Sequence, residues 1–125
     1  MGRILVVDDN EMDLLMVRTI LEELGHELHF ATDGEEALGV FRDNEFDVVV
    51  TDMILPGLDG LSLIREILRI DENAQVVAVS GVSADELEMA NSLGAMEGLS
   101  KPVDPKTLLE AVDRAMSRSE IGGQP

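Results

Sequence analysis

Along the chain, short apolar runs alternate with longer stretches in which apolar positions recur every three or four residues. The short runs read as strands at Arg3 to Val7, Glu27 to Ala31, Asp47 to Thr51, Gln75 to Val79 and, weakly, Met96 to Leu99. The longer ones read as helices at Glu11 to Leu24, Glu35 to Arg42, Leu61 to Ile70, Ala84 to Leu93 and Pro105 to Met116. This alternation predicts an α/β domain, a (βα)5 chain whose parallel sheet carries helices on both faces. The punctuation agrees. Ser83 with Glu86 and Asp33 with Glu36 have the spacing of capping boxes, and Asp104-Pro105 supplies an N-cap followed by proline at the first helical position. Gly25 and Gly94 stand where helices should stop.

The strands are unequal. "ILVV", "VVV" and "VVAV" are apolar throughout, as strands buried on both faces must be, whereas "ELHF" alternates and "MEGL" is short and interrupted. The first three are therefore central and the last two are edges. With right-handed crossovers, the order that leaves strands two and five outside is 2-1-3-4-5, a flavodoxin-like doubly wound parallel five-stranded sheet. Such a sheet opens a crevice at the carboxyl ends of its central strands, where the chain leaves strands one and three in opposite directions.

The stretch "VVVTDMILPGLDG" (48–60) poses a question against that frame, because an apolar run ends on a carboxylate and then meets a Pro-Gly turn. The crevice supplies the answer: Asp8 and Asp9 follow strand one, Asp52 follows strand three, Ser80 and Gly81 follow strand four, and Ser100, Lys101 and Pro102 follow strand five. The fold is expected to bring these scattered residues to one mouth. Crowded carboxylates repel unless a positive charge sits among them, and all-oxygen ligation suits Mg²⁺ or Mn²⁺ better than zinc. Lys101 adds a second positive charge from the opposite edge. A carboxylate beside a hard cation and an ammonium is placed to attack phosphorus, which makes an aspartyl phosphate the expected product. Ser80 offers a hydroxyl to a phosphoryl oxygen, Gly81 leaves the approach open, and a cis Lys101-Pro102 peptide would turn the lysine inward. Taken singly these features are bland: Asp8-Asp9-Asn10 reads as a helix cap and Lys101 as a solvated surface charge. Asn10 can take the capping role, which frees Asp9 for a metal.

Composition narrows the partners. The chain has 125 residues and a formal net charge of −17, which would repel phosphate backbones and anionic lipid. Direct nucleic-acid or membrane binding is therefore not expected, and the partner should be a protein. With no Cys, thiolate chemistry is excluded, and with three Phe but no Trp or Tyr, aromatic stacking is not the expected mode of recognition. The start lacks the apolar core of a signal peptide and no run approaches a membrane span, so a cytoplasmic location is expected. Residues 1–117 are assigned to one domain, and 118–125 to a flexible tail or the start of a linker. His26 and His29 are read as half-packed edge-strand residues without a catalytic role. Met12, Met16 and Met116 are read as core filler, with Met53 and Met89 exposed.

The residues "VVDD" (6–9), "TDMILPGLDG" (51–60), "SG" (80–81) and "KP" (101–102) also carry a family resemblance. In this order and spacing the chain resembles the receiver domain of a bacterial two-component response regulator, from residue 3 to about residue 117. The resemblance implies that Asp52 accepts a phosphoryl group from the phosphohistidine of a sensor histidine kinase or phosphotransfer protein. It implies that Asp8, Asp9, Asp52 and the backbone carbonyl of Ile54 hold Mg²⁺, that Ser80 is the switch hydroxyl, and that Lys101 binds the phosphoryl group. Such a domain is no conventional turnover enzyme, though it catalyses its own phosphoryl transfer and slow dephosphorylation, and its output is a downstream protein or a fused output domain. Gly98 stands where many receivers carry Tyr or Phe, so no ring can swing inward here. The last helix lacks the basic pattern of receivers in the winged-helix transcription-factor class. An aspartate-nucleophile phosphatase is the alternative, but its usual Asp-x-Asp would need a second acid where Ile54 stands. A flavin-binding relative would need a hydroxyl-rich loop after strand one, where this chain has "DDNE".

Overall fold

The computed structural model describes residues 2–81, 84–95 and 97–122. Its elements are β1 (Arg3–Val7), α1 (Glu11–Leu21) extended by a 3-10 turn (Glu22–Leu24), β2 (Glu27–Ala31), α2 (Gly34–Asp43) and β3 (Val48–Thr51). Then follow α3 (Gly60–Ile70), β4 (Gln75–Ser80), α4 (Ala84–Leu93), β5 (Glu97–Ser100) and α5 (Pro105–Gly122). The strands form one sheet in the order β2-β1-β3-β4-β5 with every neighbouring pair parallel, the arrangement the apolar strands predict.

Alternate residues of the central strands feed two apolar layers, as a strand's period of two requires. Leu5, Val7, Val49, Val76 and Ala78 pack beneath α2, α3 and α4, meeting Ala37, Phe41, Leu63, Ile64, Ile67 and Ala90. Ile4, Val6, Val48, Val50, Val77 and Val79 pack beneath α1 and α5, meeting Val17, Leu21, Leu108, Val112 and Met116. Full burial of one such aliphatic side chain contributes about 1.5–3 kcal/mol, whereas an exposed ion pair such as Arg18–Glu22 contributes roughly 0–1. The two layers therefore decide stability, and the surface charge only decorates it. Among the edge strands, β5 alternates between half-buried and exposed positions, but β2 is half-covered over Leu28 to Phe30 instead of cleanly alternating.

The expected caps are present at α2 and α5. Asp33 Oδ1 accepts the Glu36 N–H, while Glu36 Oε1 reaches back to the N–H of Thr32, one residue before the cap. Asp104 Oδ2 accepts both the N–H and the hydroxyl of Thr107. Gly25 (φ 74°) and Gly94 (φ 117°) take the left-handed backbone that ends each helical stretch. Ser83, the Glu86 side chain and Met96 lie outside the described residues.

Two expectations need correction. Helix α5 runs on to Gly122 instead of stopping at Met116, so the tail assigned from residue 118 begins in a helix. Its last turns find a polar anchor: the Ser119 hydroxyl donates to Asp47 Oδ1, and Asp47 Oδ2 accepts the Arg3 N–H. The methionines also divide differently. Met116 and Met53 are buried, but Met12 and Met16 join Leu15 as exposed residues of α1, because that helix turns Val17, Ile20 and Leu21 to the sheet; Met89 is exposed as expected.

Ile64, fully buried between α3 and the sheet, and Leu15, 55% exposed, give opposite predictions. Ile64→Ala is expected to cost about 2–5 kcal/mol in urea unfolding, and Leu15→Ala to stay within about 0.5 kcal/mol.

Candidate functional site

The parallel ladders continue for one residue beyond the strands and set the mouth in place. Asp8 N–H donates to Ala31 O, Asp52 N–H to Val7 O, and Lys101 N–H to Ser80 O, so residues from all five strand ends stand side by side. The segment after Asp52 then folds back on itself. Gly57 turns at φ 75°, Asp59 caps α3 through the Ser62 N–H, and Gly60 N–H donates to Met53 O. A Cβ on Gly60 would come within 2.4 Å of Met53 Cα and 2.8 Å of Asp52 O, so only glycine lets α3 start this close to the strand end. The turn after the carboxylate thus brings the start of α3 back against the backbone of Asp52 and Met53.

Asn10 takes the capping role anticipated for it, its Oδ1 accepting from the N–H of both Met12 and Asp13. Its own N–H donates to Asp8 Oδ1 at 2.9 Å. That leaves Asp9, which is exposed at the rim, outside the cap.

Of the predicted site residues, Asp8, Asp9, Asp52, Ser80 and Lys101 come together, and Ile54 joins them through its backbone N–H. Asp8, Asp52 and Ser80 are nearly sealed from solvent, at 4, 7 and 0% exposure, so Asp52 stands at the switch point but is more deeply set than an open mouth suggests. Ser80 Oγ donates to Asp52 Oδ1 at 2.7 Å, and the Ile54 N–H donates to the same oxygen at 3.1 Å. Lys101 Nζ lies 2.9 Å from Asp52 Oδ2 and 3.0 Å from Asp8 Oδ2. Its peptide with Pro102 is cis, as the sequence suggested. The Ile54 side chain points to solvent at 62% exposure. A Cβ on Gly81 would meet open space.

One member was missed. Asp13 Oδ2 accepts from Lys101 Nζ at 2.9 Å, making a third carboxylate partner. An acid in the first turn of a helix reads as a dipole or solubility residue, and nothing in the sequence sets Asp13 apart from the other acids of that turn.

Charge and burial pull against each other here. Burial pushes the Asp8 carboxyl above its ordinary value, and neither the Asn10 N–H nor Lys101 fully offsets it. Burial alone would push the Lys101 ammonium down, but the hydrogen bonds it donates to Asp13, Asp52 and Asp8 outweigh this and hold the ammonium above its ordinary value. Both partners of this ion pair are thus shifted upward for different reasons: the pairing raises Lys101, whereas burial raises Asp8 against the lowering effect of the same ammonium. Carboxylate oxygens of Asp8, Asp9 and Asp52 can all lie within 4.8 Å of one another. That oxygen-only set fits a hard divalent cation such as Mg²⁺.

Two further regions stand apart from the mouth. His26 Nδ1 accepts the Gly2 N–H just before β2, and His29 pairs with Glu27 and packs edge-on to Phe46. At the far edge, a Cβ on Gly98 would sit 3.2–3.3 Å from Leu87 Cβ and Cδ2, so α4 fills the space beside β5.

Comparison with known proteins points one way. The family model described as the response regulator receiver domain matches residues 4–113. The chemotaxis protein CheY of Thermotoga maritima is 31% identical over 114 residues, covering 90% of this chain and 95% of that protein. A receiver domain protein from Clostridium thermocellum has a solved structure that superposes with a TM-score of 0.91 at 35% identity, over 97% of this chain and 98% of that one. The CheY of a CheX–CheY complex with BeF3 and Mg²⁺ from Borrelia burgdorferi gives 0.86 at 26% identity, over 90% and 87%.

The raised Asp8 carboxyl sets a pH dependence. With its folded pKa above the unfolded one, the native state holds the proton more tightly, so this contribution favours folding at low pH and is lost as pH rises through the folded pKa. In EDTA, Asp8→Asn is therefore expected to be more stable than wild type at pH 7, with the gap in melting temperature closing towards pH 4.

Proposed function

The chain belongs to the response regulator receiver domain family and is a phosphorylation-dependent signalling switch of a two-component system; from that premise we propose that Asp52 is its phosphoryl acceptor. One observation carries the assignment: Asp52 is the carboxylate to which both the buried hydroxyl of Ser80 and the ammonium of Lys101 are bonded, from the ends of β4 and β5. Receiver domains bind Mg²⁺ through an acidic cluster. Here Asp8, Asp9 and Asp52 would hold it with the carbonyl of Ile54, and Mn²⁺ would serve in its place. When bound, the cation neutralises phosphoryl oxygens during transfer.

The chain's own groups do the rest. An Asp52 oxygen forms the new bond to phosphorus as the bond from phosphorus to the donor's imidazole nitrogen breaks, and that nitrogen leaves with the electron pair and takes a proton. Lys101 turns its ammonium to one phosphoryl oxygen, and Ser80 turns its hydroxyl from Asp52 to another. The aspartyl phosphate carries about −1.5 to −2 in place of a single negative charge, which is the change that a partner reads. The same groups slowly return the phosphoryl group to water, so the domain catalyses its own phosphorylation and dephosphorylation without turning over a metabolite.

Receiver domains interact with histidine kinases or phosphotransfer proteins. The exposed Met12 and Leu15 on α1 and Ile54 after β3 flank this mouth and would suit the apolar face of a helical phosphodonor. A net charge of −17 supports a protein partner in place of nucleic acid or membrane, and a cytoplasmic setting supplies both kinase domain and Mg²⁺. No helix among the described residues is long and apolar enough to cross a membrane. We place the receiver domain at residues 1–117, with the last turns of α5 to Gly122 leading on to a tail, a linker or a fused output domain. A phosphatase reading gains nothing from the site, since Ile54 brings a solvent-facing aliphatic side chain where the second acid would be needed.

Acetyl phosphate with Mg²⁺ should add one acid-labile phosphoryl group to the wild type, seen by intact mass, and none to Asp52→Asn. Labelling of that variant at residue 52 would refute the assignment. Separately, Mg²⁺ at 100 times its dissociation constant should stabilise the wild type by about 2.7 kcal/mol. EDTA should abolish the gain, and Asp9→Ala should lose it at the same Mg²⁺ concentration in a thermal melt.

A further inference from the structure

An ammonium has three N–H donors, and all three of Lys101's are taken by carboxylates: Asp8 at 3.0 Å, Asp13 at 2.9 Å and Asp52 at 2.9 Å. The three are not equivalent. Asp52 changes its bonding when one of its oxygens becomes attached to phosphorus, and Asp8 belongs to the oxygen cluster that fits a divalent cation. Asp13 is outside that cluster, on the first turn of α1, with its side chain still 32% exposed. It is the one partner of Lys101 that neither event removes.

We propose that Asp13 is a positioning residue that restrains Lys101, holding its ammonium on the α1 side of the mouth and opposing its transfer to the phosphoryl group. The proposal rests on the assignment of Asp52 as acceptor. Two effects act in the same direction. Asp13 keeps one N–H occupied, and its charge, 2.9 Å from Nζ, cancels much of the positive field that Lys101 directs at Asp52. Asparagine at this position keeps an oxygen to accept the hydrogen bond while removing the charge, so it separates holding from neutralising. Asn10 caps α1 with a side chain of its own, so the helix start does not depend on the Asp13 carboxylate.

The test measures how fast the wild type, Asp13→Asn, Asp13→Glu and Glu11→Gln gain a phosphoryl group from phosphoramidate and from acetyl phosphate with saturating Mg²⁺. In both reactions Asp52 oxygen displaces the donor's leaving group from phosphorus, ammonia in one case and acetate in the other. Asp13→Asn should be faster by roughly two- to fivefold, the range of one partly exposed charge pair, and by the same factor with both donors. Asp13→Glu should return to the wild-type rate. Glu11→Gln removes a charge from the same helical turn without touching Lys101 and should change nothing. Lys101 and Lys106 are the only lysines in the chain, so ¹⁵N-lysine labelling gives two side-chain signals. That of Lys101 should move in metal-free Asp13→Asn, and a merely structural role for Asp13 would leave it in place. An unchanged or slower rate, an unmoved Lys101 signal, an equal gain from Glu11→Gln, or a gain that scales with donor charge would each overturn the inference. Labelling of Asp52→Asn in the same series would instead overturn the acceptor assignment, so the two failures are told apart.

Discussion

The structure depends at its functional end on one ammonium. Four acids, Asp8, Asp9, Asp13 and Asp52, converge where β1, β3 and α1 meet, and Lys101 is the cation that touches three of them. Two of those acids are nearly sealed from water, where an uncompensated carboxylate would be costly. A single positive charge cannot neutralise four negative ones, so the mouth keeps a net negative charge. That deficit is what makes it a site: it attracts a divalent cation, and only with that cation present does a dianionic group become tolerable beside Asp52.

An arrangement so strained electrostatically has to be held by something else. Backbone bonds running past the ends of β1, β3 and β5 fix Asp8, Asp52 and Lys101 without using their side chains, and Gly60 packs the following helix directly beneath Asp52. Behind them stand two apolar layers built from alternate faces of the same strands. Stability comes from those layers and is spent at the mouth, which is why the raised Asp8 carboxyl can persist in a folded chain.

The fold was legible because its strongest signals are local. Continuous β-branched runs can only be strands covered on both sides, and once "ILVV", "VVV" and "VVAV" are central, right-handed crossovers leave one order for the sheet. The site followed, since topology alone brings strand ends together. What stayed hidden depends on side-chain direction. Asp13 carries the same letter as many solvated acids, and its contact with Lys101 joins positions 88 residues apart. Met12 and Met16 share the helical period of Val17 and Ile20, and only the rotation of α1 on the sheet decides which of them is buried. The last turns of α5 lack an apolar period because Ser119 meets the polar Asp47 there.

The far edge of the sheet sets what lies between Asp52 and the surface in this chain. Ser80, which holds Asp52, pairs in register with Ser100, and two residues back Ala78 pairs with Gly98. Gly98 has no side chain, and Leu87 of α4 already lies against its Cα, close enough that even a Cβ would crowd it. The neighbour of β5 at this point is therefore a helix-borne leucine that belongs to the core beneath α3 and α4, not a ring free to rotate on the strand itself. Close-packed cores do not deform continuously. Any displacement of β5 that follows rearrangement at Ser80 and Lys101 must then be met by Leu87, and through it by the helix whose exposed side carries Met89.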